Sequence, residues 1–543
     1  MILARFTRNL IYLVMCGVVG LCAPAGCTGP DYKKDADERV YKIIDQKWKD
    51  EFGPKANYKI SDVAPSPNDI VVEKAVPASG VLTLPQAVAI ATAHNRDYQT
   101  QKEELYAKAL DLRLVRHQFE PQFFAGGGAG YSRDRDDEVF GIDPRFGFNQ
   151  LLSSGGTINA AIRVVWADVM AGNLRSGLAQ VLTATVTQPL LRGSDRKVVL
   201  EDLTQAERDV LYQIRSFNRF RKTFVVSIIT QYYSVLQKYD AVKNARRNYN
   251  TLAWLCERVE TLAGAGRLPK LELEQLQEQR LEALDLYILR EKKYKDALDE
   301  FKIVLGLPTT AEFQLDESEL EALRAARMDE PNFSQAEAIE TALYRRLDLI
   351  NSADTVIDAQ RKVYVAADGL RADLNITGTV GDSTSRPADW RELGSLRRER
   401  GVGVDLDLPL DRVAEQNVYR QALLVLNQKQ RKYEQMADTI EMEIRRSFRD
   451  LVEAARRYRV QLASLELDTK RIENTFLLMQ YGRASSRRVL NAQDALLTAQ
   501  DAATEALVTY AVATLNFYRD TEVLQVRPDG MWEPAARLTS AKK

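Results

Sequence analysis

Histidine and cysteine are scarce in this chain of 543 residues, which has two histidines and four cysteines. These numbers are too small for most metal sites and disulfide frameworks. His94 and His117 stand 23 positions apart, which is not the spacing of metal ligands, and we predict that both are surface or seam residues. Since no nucleophile and base occur together in a catalytic pattern, the sequence predicts no enzymatic activity and no cofactor.

A charge excess of either sign is also missing, because 75 Lys and Arg residues are matched by 76 Asp and Glu residues. Near-neutrality removes the simplest argument for a nucleic-acid partner, which requires a clustered basic excess. The mean hydropathy of −0.32 argues against a bundle of apolar membrane helices. The composition therefore excludes a polytopic helical membrane protein.

The first 26 residues have the features of a secretory signal peptide, with Arg5 and Arg8 followed by an apolar stretch. The segment ends in Pro24-Ala25-Gly26-Cys27, which resembles a bacterial lipobox, in which the cysteine carries lipid such as palmitate. Pro24 occupies a position where leucine is preferred, so a plain signal peptide or a short membrane anchor stays open. Acyl chains on Cys27 would each contribute about 0.8 kcal/mol per buried methylene and would hold this end at a membrane.

Removal of this signal leaves a net charge of −3 and one cysteine besides Cys27, namely Cys256. A single thiol cannot form an internal disulfide, so the exported protein must depend on packing for stability. We expect Cys256 to be a small core residue within a helix.

The rest of the chain repeats one order of elements. Each copy has a helix, a β-like zone, a helix nearly twice as long, a break and a final helix. The first copy places these at about 84–119, 121–191, 194–263, 263–269 and 270–306. The second places them at about 334–366, 368–410, 412–480, 481–484 and 485–522. A duplication with so long a period is hard to produce by chance.

The longest helices exceed the dimensions of a compact domain, because about 70 residues at 1.5 Å each span about 100 Å. Apolar residues recur along them at steps of three and four, which indicates coiled-coil packing. The last helix carries the clearest seam: Ala492, Leu496, Ala499, Ala503, Ala506, Tyr510, Ala513 and Phe517. Gly266 and Gly482 would mark the tips of two antiparallel helical hairpins. An ordinary helical bundle is the alternative.

The β-like zones alternate apolar and polar residues over runs of about nine to eleven residues, the length of a tilted strand that crosses a bilayer. One run has Ile158, Ala160, Ile162, Val164 and Trp166 on one face. Others place Leu182, Ala184 and Val186, or Val402, Val404, Leu406 and Leu408, on one face. A half-buried soluble sheet would give the same alternation.

About four such strands cannot close a membrane barrel, since the smallest common outer-membrane barrels have eight. Unpaired strand edges cost several kcal/mol per backbone group in lipid. The strand count therefore predicts that several copies share one barrel.

Several motifs in this order resemble the TolC family of outer-membrane efflux proteins. They are the lipobox cysteine with Gly29-Pro30-Asp31-Tyr32, the doubled plan, Gln188-Pro189-Leu190, and Tyr481-Gly482 followed by Val489-Leu490-Asn491-Ala492-Gln493. The resemblance spans about residues 82–525. Thr28 after the cysteine fits the sorting of such lipoproteins to the outer membrane.

The resemblance implies a mostly α fold with a membrane β-barrel portion. The subunits would form a homotrimer in which a shared 12-stranded barrel in the outer membrane continues as a barrel of 12 coiled-coil helices. Such proteins are passive exit ducts that dock a periplasmic adaptor and an inner-membrane pump or secretion transporter. The linker 307–333 and the tail 523–543 would form an equatorial collar. The other segments are 1–26 as signal, 27–82 as an extended lipid-anchored segment, and 83–306 and 334–522 as the two repeats.

The first β-like zone departs from the family, because it has four possible strands where the family has two. They are Phe123–Tyr131, Phe146–Leu152, Thr157–Trp166 and Val181–Leu190, with Ser153-Ser154-Gly155-Gly156 as a tight turn. The extra hairpin could lie outside the membrane or widen the barrel to six strands per subunit, and we expect the former.

The periplasmic gate also departs from the family, in which carboxylates six and nine residues after the hairpin glycine form acidic rings. The matching positions are Arg488 and Asn491 after Gly482, and Glu272 and Gln275 after Gly266. An ion pair between Arg488 and Glu272 would hold the tip shut by attraction. The alternative is that both side chains lie on a solvated outer face.

A different function is compatible with the same patterns. The chain could be a periplasmic coiled-coil lipoprotein that serves as a spacer or docking rod, with a soluble sheet. If the chain is a duct, we expect a trimer that requires detergent and conducts ions. If it is a rod, we expect a monomer that is released from membranes when the lipid alone is removed.

Overall fold

The computed structural model describes residues 29–49, 55, 57–60, 70, 76–77, 79–133, 138–171, 177–264, 269–325, 334–383, 397–481, 483–527 and 532–533. Its helices are α1 Gly29–Lys47, α2 Leu84–His94, α3 Arg96–His117, α4 Arg196–Val199, α5 Glu201–Gly264, α6 Lys270–Leu305, α7 Ser318–Ala325, α8 Gln335–Arg345, α9 Leu347–Asp368, α10 Val413–Gln480 and α11 Ser486–Asp520. Its strands are β1 Val81–Leu82, β2 Gln122–Gly126, β3 Ala129–Arg133, β4 Glu138–Ile142, β5 Arg145–Leu151, β6 Thr157–Ala171, β7 Gly177–Pro189, β8 Gln314–Leu315, β9 Asp373–Ser383, β10 Arg397–Asp407, β11 Gln525–Val526 and β12 Trp532–Glu533.

The doubled order of elements is present, and the two repeats match each other more closely than the sequence pattern indicates. The helix that opens each repeat is divided into segments of 11 and 22 residues, α2 and α3 in the first repeat and α8 and α9 in the second. The long helices α5 and α10 have 64 and 68 residues, or about 100 Å each. The predicted extreme length is therefore confirmed.

A joint at Asn95 explains why the opening helix of the first repeat divides into α2 and α3. Asn95 caps α3 by accepting a hydrogen bond from the Tyr98 amide at 3.0 Å, and its side chain donates to the Val304 carbonyl at 2.8 Å. Gly306 ends α6 with a φ of 75°, and a Cβ there would meet the His94 carbonyl oxygen at 2.3 Å. Glycine is thus required by both the left-handed backbone and the close approach.

The amino-terminal segment differs from the expectation of an extended chain over 27–82, since Gly29–Lys47 is helical. The reason is tertiary packing, because Val40 and Ile44 of α1 are buried in the main core. Polar contacts reinforce this packing: Tyr106 donates to Asp37 at 2.7 Å and Arg113 to Asp35 at 3.1 Å. The apolar residues of α1 form a short stripe among many charged residues, so the helical periodicity of this segment is weak in the sequence.

The buried apolar residues form three clusters along the helices. The largest surrounds the middle of α5 and includes α2, α3 and the short parallel pair of β1 with β8. A second joins the C-terminal ends of α5 and α10 to the N-terminal parts of α6 and α11. A third joins α8, α10 and α11. On α11 the predicted seam is the buried face, with Ala492 and Phe517 fully buried at its two ends. Cys256 is buried in the second cluster, as predicted.

Eight strands form one antiparallel sheet. Four of them follow each other in the order β10, β9, β7 and β6. Both β4 and β5 pair with the other side of β6, and beyond them β3 pairs with β4 and β2 pairs with β5. Since β3 continues β2 and β5 continues β4, the sheet has six ribbons. The expected run Phe123–Tyr131 is divided between β2 and β3, and β4 was not predicted. We name β2–β5, Gln122–Leu151, the additional hairpin.

The predicted turn after the additional hairpin is present. The Leu152 amide donates to the Gly156 carbonyl at 2.7 Å, and the Gly155 amide donates to the Leu152 carbonyl at 2.9 Å. Gln188 fixes this turn from the neighbouring ribbon, donating to the Ser154 carbonyl at 2.9 Å and accepting from the Ser154 hydroxyl at 2.9 Å. The Gln188-Pro189-Leu190 motif therefore has a structural role at the base of the sheet.

Candidate functional site

One face of the sheet is mainly apolar across its ribbons, and the polar residues that share it include Gln150, Asp382 and Arg400. Residues paired across antiparallel strands project to the same side, so the register identifies each face. One row consists of Phe123, Phe148, Ala160, Ala184, Val380 and, at its end, Arg400. Another consists of Gln150, Ile158, Val186, Gly378 and Val402. Val402 and Val380 are 83% and 56% exposed, so the residues that the structure describes do not cover this face there.

The opposite face of the sheet is polar. One row consists of Gln122, Asn149, Asn159, Thr185 and Thr379. Next to it Thr157, Thr187 and Thr377 form a second row. Asn159 donates to Asn149 at 2.6 Å, so polar side chains of adjacent ribbons bond each other along this face. A sheet with these two faces suits a boundary between lipid and water.

The two outermost ribbons of the sheet have open edges. Among the strands that the structure describes, β10 pairs only with β9, β2 only with β5 and β3 only with β4. In a membrane an open edge would leave backbone groups unpaired, at a cost of several kcal/mol each. In a membrane these edges would therefore need further strands as partners.

The long helices also expose apolar residues that no other described part of the chain covers. On α10 the exposed set includes pairs seven residues apart, Val418 with Val425 and Val460 with Leu467. On α6, Leu281 and Ile288 are 60% and 55% exposed and have the same separation. Apolar residues at heptad spacing indicate that further helices pack against these faces.

The ends of the two helical hairpins lie against each other. Leu255 and Leu276 of α5 and α6 share a buried cluster with Val489 and Ala492 of α11. At the same place the Ser486 hydroxyl donates to a Glu272 carboxylate oxygen at 2.9 Å. Gly266 and Gly482, which we expect at the tips, and Cys27, which we expect to carry lipid, lie outside the described residues.

The four expected gate residues occupy two environments. Glu272 and Gln275 are half-buried between the hairpins, whereas Arg488 and Asn491 are exposed on one face of α11. Within the described part of a single subunit, no ion pair joins Arg488 to Glu272, and the hydroxyl of Ser486 is the partner of Glu272. The exposed face of α11 continues with polar residues at Thr498, Glu505 and Thr509.

A buried ion-pair network ties the two repeats together near the middle of the long helices. Arg346 is 3% exposed and binds both Asp348 oxygens, at 3.1 and 2.7 Å, as well as Glu443 of α10 at 2.5 Å. Arg219 of α5 forms ion pairs with both Asp348, at 3.1 Å, and Glu522, at 2.9 Å. This network was not predicted, because its charged residues belong to segments that are far apart in the chain.

The electrostatics of Asp348 follow from this arrangement. Burial acts to raise the pKa of Asp348, but the hydrogen bonds from Arg346 and the charge of Arg219 outweigh it and lower the pKa. The pKa of Arg346 is raised, because its two carboxylate partners outweigh the effect of burial. Both groups are therefore held in their charged forms.

None of the helices in the described ranges has an apolar stretch sufficient to span a bilayer. No protein-family model matches the chain, and no curated protein is significantly similar to it in sequence. Solved structures are similar in fold. The channel CusC aligns with a TM-score of 0.59 at 14% identity, covering 86% of this chain and 99% of that one. The outer-membrane channel OprN gives 0.58 at 15%, covering 86% and 96%.

The CmeC outer-membrane channel of Campylobacter jejuni gives a TM-score of 0.60 at 15% identity, covering 84% of this chain and 87% of that one. The chain has the fold of the TolC-like outer-membrane channels. The resemblance seen in the sequence motifs is thereby confirmed for the fold.

Proposed function

We propose that this chain is one subunit of a passive exit duct in the outer membrane, serving a tripartite efflux or type I secretion system. The observation that carries the proposal is the open sheet with one apolar and one polar face, joined directly to helices of about 100 Å. The sheet suits a pore wall with lipid outside and water inside. The helices have the length needed to extend that wall across the periplasm.

The assembly is a homotrimer in this proposal, as the resemblance to TolC-like channels implies. Two features of the single subunit support an oligomer independently, namely the open edges of β10 and β2–β3 and the exposed heptad positions on α6 and α10. The linker and the tail contribute the collar. In support, Arg324 of α7 binds Asp240 of α5 at 3.0 Å, and Val526 of β11 is buried in the main core.

The partners would be a periplasmic adaptor and an inner-membrane pump, which dock at the ends of the helical hairpins. The duct itself needs no catalytic group, and the pump selects the cargo. Lipid on Cys27 would anchor the amino terminus of each subunit at the outer membrane.

Purified full-length protein in detergent is expected to have the mass of three chains and to form ion-conducting pores in planar bilayers. The physical reason is that the apolar sheet face needs lipid or detergent, and the sheet edges need other copies. Native mass spectrometry and single-channel recording make the two measurements. A monomer that becomes soluble once the lipid is removed would instead support the spacer or docking rod.

The gate is tested by Arg488→Asp. In our proposal Arg488 and Asn491 face the lumen at the hairpin ends, and in the assembled trimer Arg488 pairs with Glu272 of a neighbouring subunit, which holds the tip shut by attraction. Reversal of the Arg488 charge is expected to open the tip and to shift the pore toward cations, measured as higher conductance and a changed reversal potential in a salt gradient. Arg487→Asp is the matched control, because Arg487 is equally exposed but is turned by about 100° on the helix. Equal behaviour of both variants and the parent would contradict the gating role.

A further inference from the structure

We propose that the additional hairpin is part of the membrane wall, so that each subunit contributes six ribbons to the shared barrel instead of four. This inference rests on the proposed function, since it assumes that subunits assemble edge to edge. With three subunits the wall would have eighteen ribbons, and since barrel diameter grows roughly linearly with strand number it would be about 1.5 times as wide as a wall of twelve. The expectation that this hairpin lies outside the membrane is replaced by this proposal.

The pairing of the hairpin with β6 is continuous. Residues 157–163 of β6 pair with β5 and residues 166–171 pair with β4. Between these stretches the Val164 amide donates to the Pro144 carbonyl at 2.9 Å. Asp143 secures the bend, accepting from the Gly128 amide at 2.8 Å and from Arg163 at 2.9 Å. The hairpin is thus bonded to the sheet along the length of β6.

The hairpin also keeps the two-faced character of the sheet. Phe123 and Phe146 lie on the apolar face in register with Ala160 and Ile162, and they are 81% and 58% exposed. Asn149 lies on the polar face beside Asn159. Aromatic rings on the side where the neighbouring ribbons present aliphatic side chains continue the surface that a lipid-facing hairpin needs.

The polar face of the hairpin is closely fitted at one glycine. A Cβ on Gly147 would meet the Ala160 carbonyl oxygen at 2.4 Å and the Phe124 ring at 2.6 Å. The Phe124 ring therefore covers Gly147 on the face that would line the pore.

The chain directions at the two open edges allow closure. Successive ribbons of the sheet are antiparallel, so with six ribbons the outermost pair, β2–β3 and β10, point in opposite directions. When identical subunits follow each other around a ring, β10 of one subunit meets β2–β3 of the next in antiparallel orientation. Each closing contact is then an ordinary antiparallel ladder.

Cysteine cross-linking identifies the strand that β10 meets. In a Cys256→Ala background, Ala125→Cys in β2 is combined in turn with three substitutions in β10, namely Val402→Cys, Val404→Cys and Leu406→Cys. Three positions are needed because the structure of one chain does not fix the register between strands of neighbouring subunits. A comparison series combines the same three with Ile158→Cys in β6. Paired strands bring Cα atoms within the distance that a disulfide spans. The Cys256→Ala parent controls for cross-links through Cys27.

We expect at least one member of the Ala125 series, and none of the Ile158 series, to give covalently linked dimers and trimers when membranes are oxidised. Links from the Ile158 series would overturn the inference, because they would place β6 at the subunit boundary. An absence of links in both series while native mass spectrometry shows an oligomer would also overturn it. A monomer in that measurement would mean that the proposed function fails, and the inference with it.

A second measurement does not depend on oxidation. Phe146→Arg puts a charge on the apolar face, and Asn149→Arg puts the same charge on the polar face of the same strand. If the hairpin crosses the membrane, the first variant is expected to give at least ten-fold less oligomer in outer-membrane fractions than the second. Equal amounts would show that the hairpin does not face lipid.

Discussion

Val402→Arg is expected to prevent the subunits from assembling in the membrane. Val402 lies in the middle of β10 and is 83% exposed on the apolar face, in a row with Ile158 and Val186. An arginine on the lipid face costs about 2–4 kcal/mol in each subunit at the bilayer midplane and less toward the interfaces. Because the cost recurs in every copy, the amount of oligomer in outer-membrane fractions should fall strongly. Gel electrophoresis of samples that have not been boiled measures this amount.

Thr379→Arg is the matched control for this variant. Thr379 belongs to the neighbouring strand β9 but projects from the polar face, where its cross-strand partner Gly401 leaves open space. In a pore wall this arginine would face water and should be tolerated. Equal loss of oligomer in both variants would mean that the two faces of the sheet do not separate lipid from water.

Arg346→Met should destabilise each subunit by about 3–5 kcal/mol, as expected when one partner of a buried ion pair is removed. The methionine fills part of the space but leaves Asp348 and Glu443 without their shared guanidinium. Denaturant unfolding in detergent, followed by circular dichroism, measures the change. Arg345→Met is the control, since Arg345 is exposed one residue earlier. Similar stability of the two variants would contradict a structural role for the network.

The same network predicts how this loss depends on pH. The folded-state pKa of Asp348 is lowered from 3.8, so its contribution to stability is complete above the unfolded value and is lost as the pH falls through the folded value. In Arg346→Met the carboxyl loses the hydrogen bonds that lower its pKa. The difference in stability between the parent and the variant should therefore be constant above about pH 5 and shrink below the unfolded value. A constant difference throughout would show that Asp348 is not the group left uncompensated.

Sequence periodicity predicts the long elements well because their packing repeats along the chain. The α11 seam is an example, since Ala492, Ala503 and Phe517 are predicted from their spacing and are buried. The division of the opening helices was not predicted. Asn95 and Arg346 interrupt helices through contacts with Val304 and Glu443, which are distant in sequence. The helix α1 was missed for the same reason, because its small apolar face becomes evident only where α3 covers it.

The sheet shows a similar limit. Alternation predicts the strands whose apolar residues are regular, such as β7 and β10. It does not predict β4, or the division of β2 from β3, which depends on Gly127-Gly128 opposite Asp143-Pro144. Of the candidate sites, the gate positions come from counting along a family motif, and a single subunit does not bring Arg488 to Glu272. The Arg346 network had no sequence signal, because its members are spread over some 300 residues.

Electron cryomicroscopy of the purified particle in lipid nanodiscs shows whether the subunits share one wall. We expect one hollow cylinder in which the sheets of three copies form a continuous wall through the lipid disc, with the long helices projecting from one side. Particles in which each sheet closes on itself outside the lipid, with no shared lumen, would contradict this expectation.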